Sequence, residues 1–221
     1  FTLSGREDLG GGMNAFFAMN YRFNPGTGQS TTTATVSSFW RQVWVGLGGA
    51  FGDVRLGRTL PVLQEFNGGF EPFGTETVGS THSGGLNAGL AGNARINNAI
   101  YYRSPSLGGL QVHANVAAGD QQKVTAGAFT SGERPIGLGA QYAAGPLKVA
   151  VAYDKNASDE KTKGVYGSFA LGATTLMAQY ENGDVGASDQ TVWSIGARVA
   201  MGAATVKAGY RSNSDTEQKK L

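Results

Sequence analysis

Apolar and polar residues alternate along most of this chain with a period of two, the mark of strands that show one apolar face and one polar face. Met13, Ala15, Phe17, Met19, Tyr21 and Phe23 share a face opposite Asn14, Phe16, Ala18, Asn20 and Arg22. Leu110, Val112, Ala114 and Val116 alternate with Gln111, His113, Asn115 and Ala117, and Leu147, Val149, Val151 and Tyr153 with Lys148, Ala150, Ala152 and Asp154. On the same rule Arg41 shares a face with Val43, Val45 and Leu47, and Arg95 with Asn97, Ala99, Tyr101 and Arg103. Continued to Arg211, the pattern predicts about twelve strands and an all-β fold.

The connections carry their own order. Short glycine turns alternate with longer polar loops, and strands leaving a short turn end in a tyrosine followed by a charge: Tyr21-Arg22, Tyr153-Asp154, Tyr180-Glu181 and Tyr210-Arg211. In a bilayer both regularities have a cause. Short turns lie on the periplasmic side and long loops outside, while amphipathic tyrosines mark the headgroup level where the apolar band ends. A soluble antiparallel sandwich also alternates apolar and polar residues. Here one face is apolar throughout and the other holds Gly, Ala, Ser, Asn, Gln and charge, which suits lipid outside and a wet lumen inside a transmembrane antiparallel β-barrel.

One stretch breaks the pattern. Leu60 to Asn93 has no usable period, contains Pro61, Glu65, Glu71 and Glu76 and no Lys or Arg, and supplies Phe66, Phe70, Phe73 and Leu86 as apolar surface. It reads as an irregular loop of the functional kind. Its backbone cannot lie in lipid, so it folds into the lumen or stands outside. A bed of Val43, Val45 and Leu47 beneath it favours the lumen. There Glu65, with Glu71 and Glu76, faces a wall bearing Arg41, Arg58 and Arg95, and carboxylate opposite guanidinium sets a transverse field at the narrowest point. Along the wall Arg103, Lys148, Arg198 and Lys207 join Arg41 and Arg95 to outweigh Glu65, Asp154 and Glu181, which predicts a weak anion preference.

Composition narrows the choice further. The 221 residues show no linker and form one domain, 1–221, with 35 Gly but no collagen period. No apolar run reaches the roughly 18 residues of a membrane helix. A net charge of +2 makes no case for nucleic acid, and zero cysteines exclude thiolate chemistry and disulfides. His82 and His113 read as surface histidines with no metal or Ser/His/Asp spacing, so neither a cofactor nor an enzyme is expected. Phe1 to Gly5 already alternate like a strand, so no signal peptide is expected at the start.

Five stretches, SGREDLGGGMNAFFAM, FWRQVWVGLGGAFGDVRLGR, ARINNAIYYRSPSLGGLQVHA, AAGPLKVAVAYD and LGATTLMAQYENGD, resemble the general diffusion porins of Gram-negative outer membranes, particularly the neisserial and β-proteobacterial type. QEFNGG is similar to the Pro-Glu-Phe-Gly-Gly motif of enteric porin constriction loops, with Glu65 at its acid. The resemblance implies a sixteen-stranded barrel in outer-membrane lipid, usually a homotrimer, with the third extracellular loop folded inward. Arg41 then matches the constriction arginine of the family's fourth strand and Arg95 that of its sixth. A third family arginine falls before Phe1, and a second loop acid of the enteric type falls near Pro61, where no acid stands. The resemblance also implies that this chain is a partial barrel, strands two through thirteen. The function implied is passive diffusion of small hydrophilic solutes and inorganic ions. The alternative from another class is an adhesin or structural β-protein whose long loop binds a partner outside.

Overall fold

The computed structural model describes residues 1–29, 40–74, 95–118, 121–125, 128–185, 188–214 and 219–220. Its elements are β1 (Thr2–Gly10), β2 (Met13–Tyr21), β3 (Trp40–Gly49), β4 (Gly52–Thr59), the helix α1 (Val62–Gly69), β5 (Ile96–Arg103) and β6 (Leu110–Ala117), followed by a hairpin of β7 (Gln121–Thr125) and β8 (Ala128–Gly132). Then come β9 (Ile136–Ala144), β10 (Leu147–Lys155), β11 (Lys161–Leu171), β12 (Thr174–Val185), β13 (Ser188–Met201), β14 (Ala204–Asn213) and the two-residue β15 (Lys219–Lys220). The β7–β8 hairpin stands apart. All other strands form one antiparallel meander in chain order, with β1 and β15 at its edges. The strand count and the alternation of turns with loops agree with the sequence pattern.

Burial along this sheet is inverted relative to a protein in water. Val45, Val165, Leu138 and Ile195 are 60, 57, 56 and 54% exposed, while His113, Asn115, Asp154, Glu181 and Arg211 on the other face are buried. An apolar outer band is stable only against hydrocarbon, so these strands span a membrane. Among the described residues no helix is long and apolar enough to cross one.

The sheet curls around α1. The helix packs on β6, β9, β10 and β11, and its Glu65 reaches Arg55 on β4. Val62, Leu63, Phe66 and Phe70 join Tyr101, Ala150, Ala152 and Tyr166 in one buried cluster. The wall is thin where the helix sits: a Cβ on Gly139 would lie 2.6 Å from the Phe66 ring and 2.7 Å from Val62. The described part of the inward loop, through Gly74, is thus a packed element of the interior.

The strict period of two fails at two places. Asn20 pairs with Gln42 but Tyr21 with Trp40, which makes Arg41 an extra residue on β3. Gly57 pairs with Ala99 but Thr59 with Ile96, so β5 also carries an extra residue, beside Asn98 at φ 50°. Bulges re-aim the side chains beyond them. Val45 and Leu47 therefore face outward, a correction to their expected place beneath the loop, and Ile96 turns inward to pack with Ala99 and Ala117.

Ile195→Lys puts an ammonium on the lipid face and should cost roughly 2–4 kcal/mol if it sits near the bilayer midplane. Ala170→Gln, on the lumen face, should stay within about 0.5 kcal/mol of the parent. Urea titration of the full-length protein folded into phospholipid vesicles checks both.

Candidate functional site

The helix comes from a short apolar stripe. Val62, Leu63, Phe66 and Phe70 recur at helical spacing, although α1 is only eight residues and too short to stand alone in water. That brevity is why the segment reads as an irregular loop from its sequence. Pro61 at the N-cap makes no side-chain cap. The wall supplies the caps instead: the Val62 N–H donates to Asn115 Oδ1 and the Leu63 N–H to Asp154 Oδ2, each at 2.9 Å.

Further along, Asn67 Nδ2 donates to Glu181 Oε1 at 2.7 Å, and the Tyr166 hydroxyl donates to the same oxygen at 2.8 Å. Arg198 Nε then donates to the Pro72 carbonyl at 2.7 Å, and its Nη2 donates to the Glu71 carbonyl. These contacts correct three expectations. Asp154 and Glu181 are sealed behind the helix rather than facing pore water, Arg198 clamps the loop, and Glu71 is wholly buried, its Oε2 accepting the Phe73 N–H at 2.9 Å.

Glu65 also has a partner the alternation did not point to. Its Oε1 lies 3.2 Å from Arg55 Nη2, and the Arg55 guanidinium stacks 5.2 Å from the Trp44 ring and 4.8 Å from Tyr101. Glu65 is therefore placed against Arg55 rather than against Arg41 and Arg95. The signal for Arg55 was present, since it alternates with the apolar Val54 and Leu56. His113, expected on the surface, is 4% exposed, with its Nδ1 2.8 Å from the Tyr101 hydroxyl and its ring edge-on to Phe66 at 4.8 Å.

Arg41, Arg58 and Arg95 do come together. Arg41 lies within mutual electrostatic reach of Arg95 and Arg58 and of a fourth arginine, Arg22. The two bulges sit within this cluster, one at Arg41 and one where Arg58 donates to Asn97 Oδ1. Burial first, and then Arg22 and Arg58, pull the Arg95 guanidinium down to about 10. It keeps its charge at neutral pH. A cavity of about 410 Å³ borders Arg22, Gln42, Leu60 and Arg95. Of the wall residues, Arg103 pairs with Asp53, Lys148 sits 5.0 Å over the Phe70 ring, and Lys207 is exposed in cross-strand register with Arg198. Glu76, like His82 and Leu86, lies outside the described residues.

This sheet, with its inward helix and the two bulges beside its arginine cluster, has counterparts among known proteins. A family described as Gram-negative porin matches residues 1–220. The chain belongs to the Gram-negative porin family. An outer membrane porin protein of Bordetella pertussis is 32% identical over 170 residues, 73% of this chain and 43% of that protein. Outer membrane porin protein 32 of Delftia acidovorans is 32% identical over 153 residues, 67% of this chain and 42% of its own length. The chain thus spans less than half the length of these curated relatives. Among solved structures, an anion-selective porin from Comamonas acidovorans aligns with 99% of this chain and 70% of its own, at a TM-score of 0.78 and 26% identity. The family and the names of both curated relatives place this porin in the bacterial outer membrane.

The wall-supplied caps make a direct prediction. Asp154→Ala and Asn115→Ala each leave a helix N–H without its acceptor, costing about 1–2 kcal/mol locally. Hydrogen exchange at the first-turn amides of α1 should speed up by about tenfold in each variant of the full-length porin.

Proposed function

We propose that this chain forms most of the wall and the constriction of a water-filled pore for passive diffusion of small hydrophilic solutes and inorganic ions, with a preference for anions. The observation that carries the reading is the asymmetry of the narrowed lumen. Arg22, Arg41, Arg58 and Arg95 gather in one cluster, whereas the acids Asp154, Glu181 and Glu71 are spent on holding α1 and its exit. Glu65 is neutralised by Arg55. What remains toward water is net positive, and a positive low-dielectric constriction concentrates anions. The likeness to an anion-selective porin supports the same sign.

Arg41, Arg58, Arg95 and Glu65 remain the proposed constriction set, with Arg22 and Arg55 added, and Arg103, Lys148 and Lys207 the proposed water-facing wall. Outer-membrane lipid covers the apolar band, and the working form in this proposal is a homotrimer, as the family resemblance implies. Adhesion through the long loop finds no support in its described part, which is packed inside against the wall.

Reversal potential across a planar bilayer under a salt gradient tests the proposal on the full-length porin. An anion-selective sign is expected, moving toward zero by a few-fold in permeability ratio when Arg41 and Arg95 are both replaced by Gln. A cation-selective sign in the parent would overturn the proposal.

A further inference from the structure

A second cavity, of about 200 Å³, lies between α1 and the wall near the strand ends that meet the short turns, apart from the arginine cluster. Arg103, Gln111, Gln141 and Lys148 line its wall side. Register sets these four on one diagonal of the lumen face. Arg103 pairs with His113, Gln111 stands two residues before His113 on β6 and pairs with Gln141, and Lys148 stands two residues before the Ala150 that Gln141 meets on β10. Their neighbours Leu110, Val112, Tyr142, Leu147 and Val149 point the other way, into the apolar band. On the helix side Gly69 leaves room, since a Cβ there would meet nothing within 4 Å.

What the diagonal offers is donors. The Lys148 ammonium lies 5.0 Å from the Phe70 ring centroid and has no carboxylate partner among the described residues. Gln141 makes no side-chain hydrogen bond among them. Gln111 Nε2 donates once, to the Ser104 carbonyl at 3.2 Å, and keeps its second N–H. Arg103 gives Nε and Nη2 to Asp53 and keeps Nη1. The acceptors nearby are turned away: Glu65 Oε1 is held by Arg55 at 3.2 Å, while Glu65 Oε2 and His113 Nε2 are closed to water. A chloride ion would answer the charge but not the directed N–H groups. A tetrahedral oxyanion presents acceptor oxygens toward several strands at once.

We propose that this cavity is a resting site for inorganic phosphate and similar tetrahedral oxyanions, whose oxygens accept from Lys148, Gln141, Gln111 and Arg103. The site depends on the pore reading, because the anion reaches it through the lumen. It gives the anion path a second station, selected by hydrogen-bond donors as well as by charge.

Single-channel current of the full-length porin in potassium chloride should fall to a plateau as phosphate is raised. Acetate at matched ionic strength should give no plateau in the same range. Lys148→Met should raise the half-saturating phosphate concentration by about tenfold, and Gln141→Leu by about threefold. Gly69→Leu fills the cavity from the helix side and should abolish the saturable response in a channel that still conducts. Replacing Arg41 and Arg95 together by Gln should move the phosphate midpoint by less than about twofold, because electrolyte in the lumen screens that cluster. A shift there as large as in Lys148→Met would assign the effect to the arginines and overturn the cavity site. A conducting channel with no saturable response to phosphate would overturn the site and leave the pore standing. An equal response to acetate would replace the oxyanion site by a plain anion site. Absence of any conductance would remove the pore reading and this site with it. Should a variant fail to fold, the comparison of phosphate with acetate on the parent decides alone.

Discussion

A helix inside a barrel must have its backbone donors met, and everything around α1 follows from that requirement. The eight-residue helix cannot cap itself, because the Pro61 ring carries no hydrogen-bond acceptor, so the wall brings Asn115 and Asp154 to its first turn. Those acceptors need room. Gly137 provides it: a Cβ there would lie 2.1 Å from Asp154 Oδ1 and 2.4 Å from Asn115 Oδ1. Gly196 does the same for the exit, where a Cβ would lie 2.4 Å from Pro72. The glycine-rich inner face is thus partly a mould for the loop.

The mounting also separates charge by task. In the proposed pore, carboxylates that would have cancelled a positive field are turned into fasteners, and the arginines are left gathered on the side where the strands bulge. The two bulges matter here because a regular strand sends every second residue to lipid. Arg41 shares its parity with Val45 and Leu47, which face outward. Without the extra residue the same chain would aim a guanidinium at hydrocarbon.

The fold was legible in the sequence because the bilayer enforces alternation on every strand and marks its edges with tyrosine. Even the inward loop could be argued from the cost of placing its backbone in lipid. The partnerships were harder to see. Alternation assumes unbroken register, so it put Val45 and Leu47 under the loop and could not foresee Ile96 turning inward. Glu65 was visible as a loop acid, but its pairing with Arg55 depends on how α1 is seated. His113 looked like a surface residue because its polar face is the inner one, and burial there comes from the loop. The resemblance named Arg41 and Arg95, which do lie within electrostatic reach of one another, whereas Arg22 needed only the tyrosine-then-charge rule to be taken one step further.

Arg198 holds the loop by backbone carbonyls, not by side chains. A grip of that kind is indifferent to which residues stand at 71 and 72 so long as the chain follows the same path. The Arg198 grip would therefore survive a substitution at either position, while the buried Glu71 carboxylate and the seat of Pro72 against Gly196 set demands of their own.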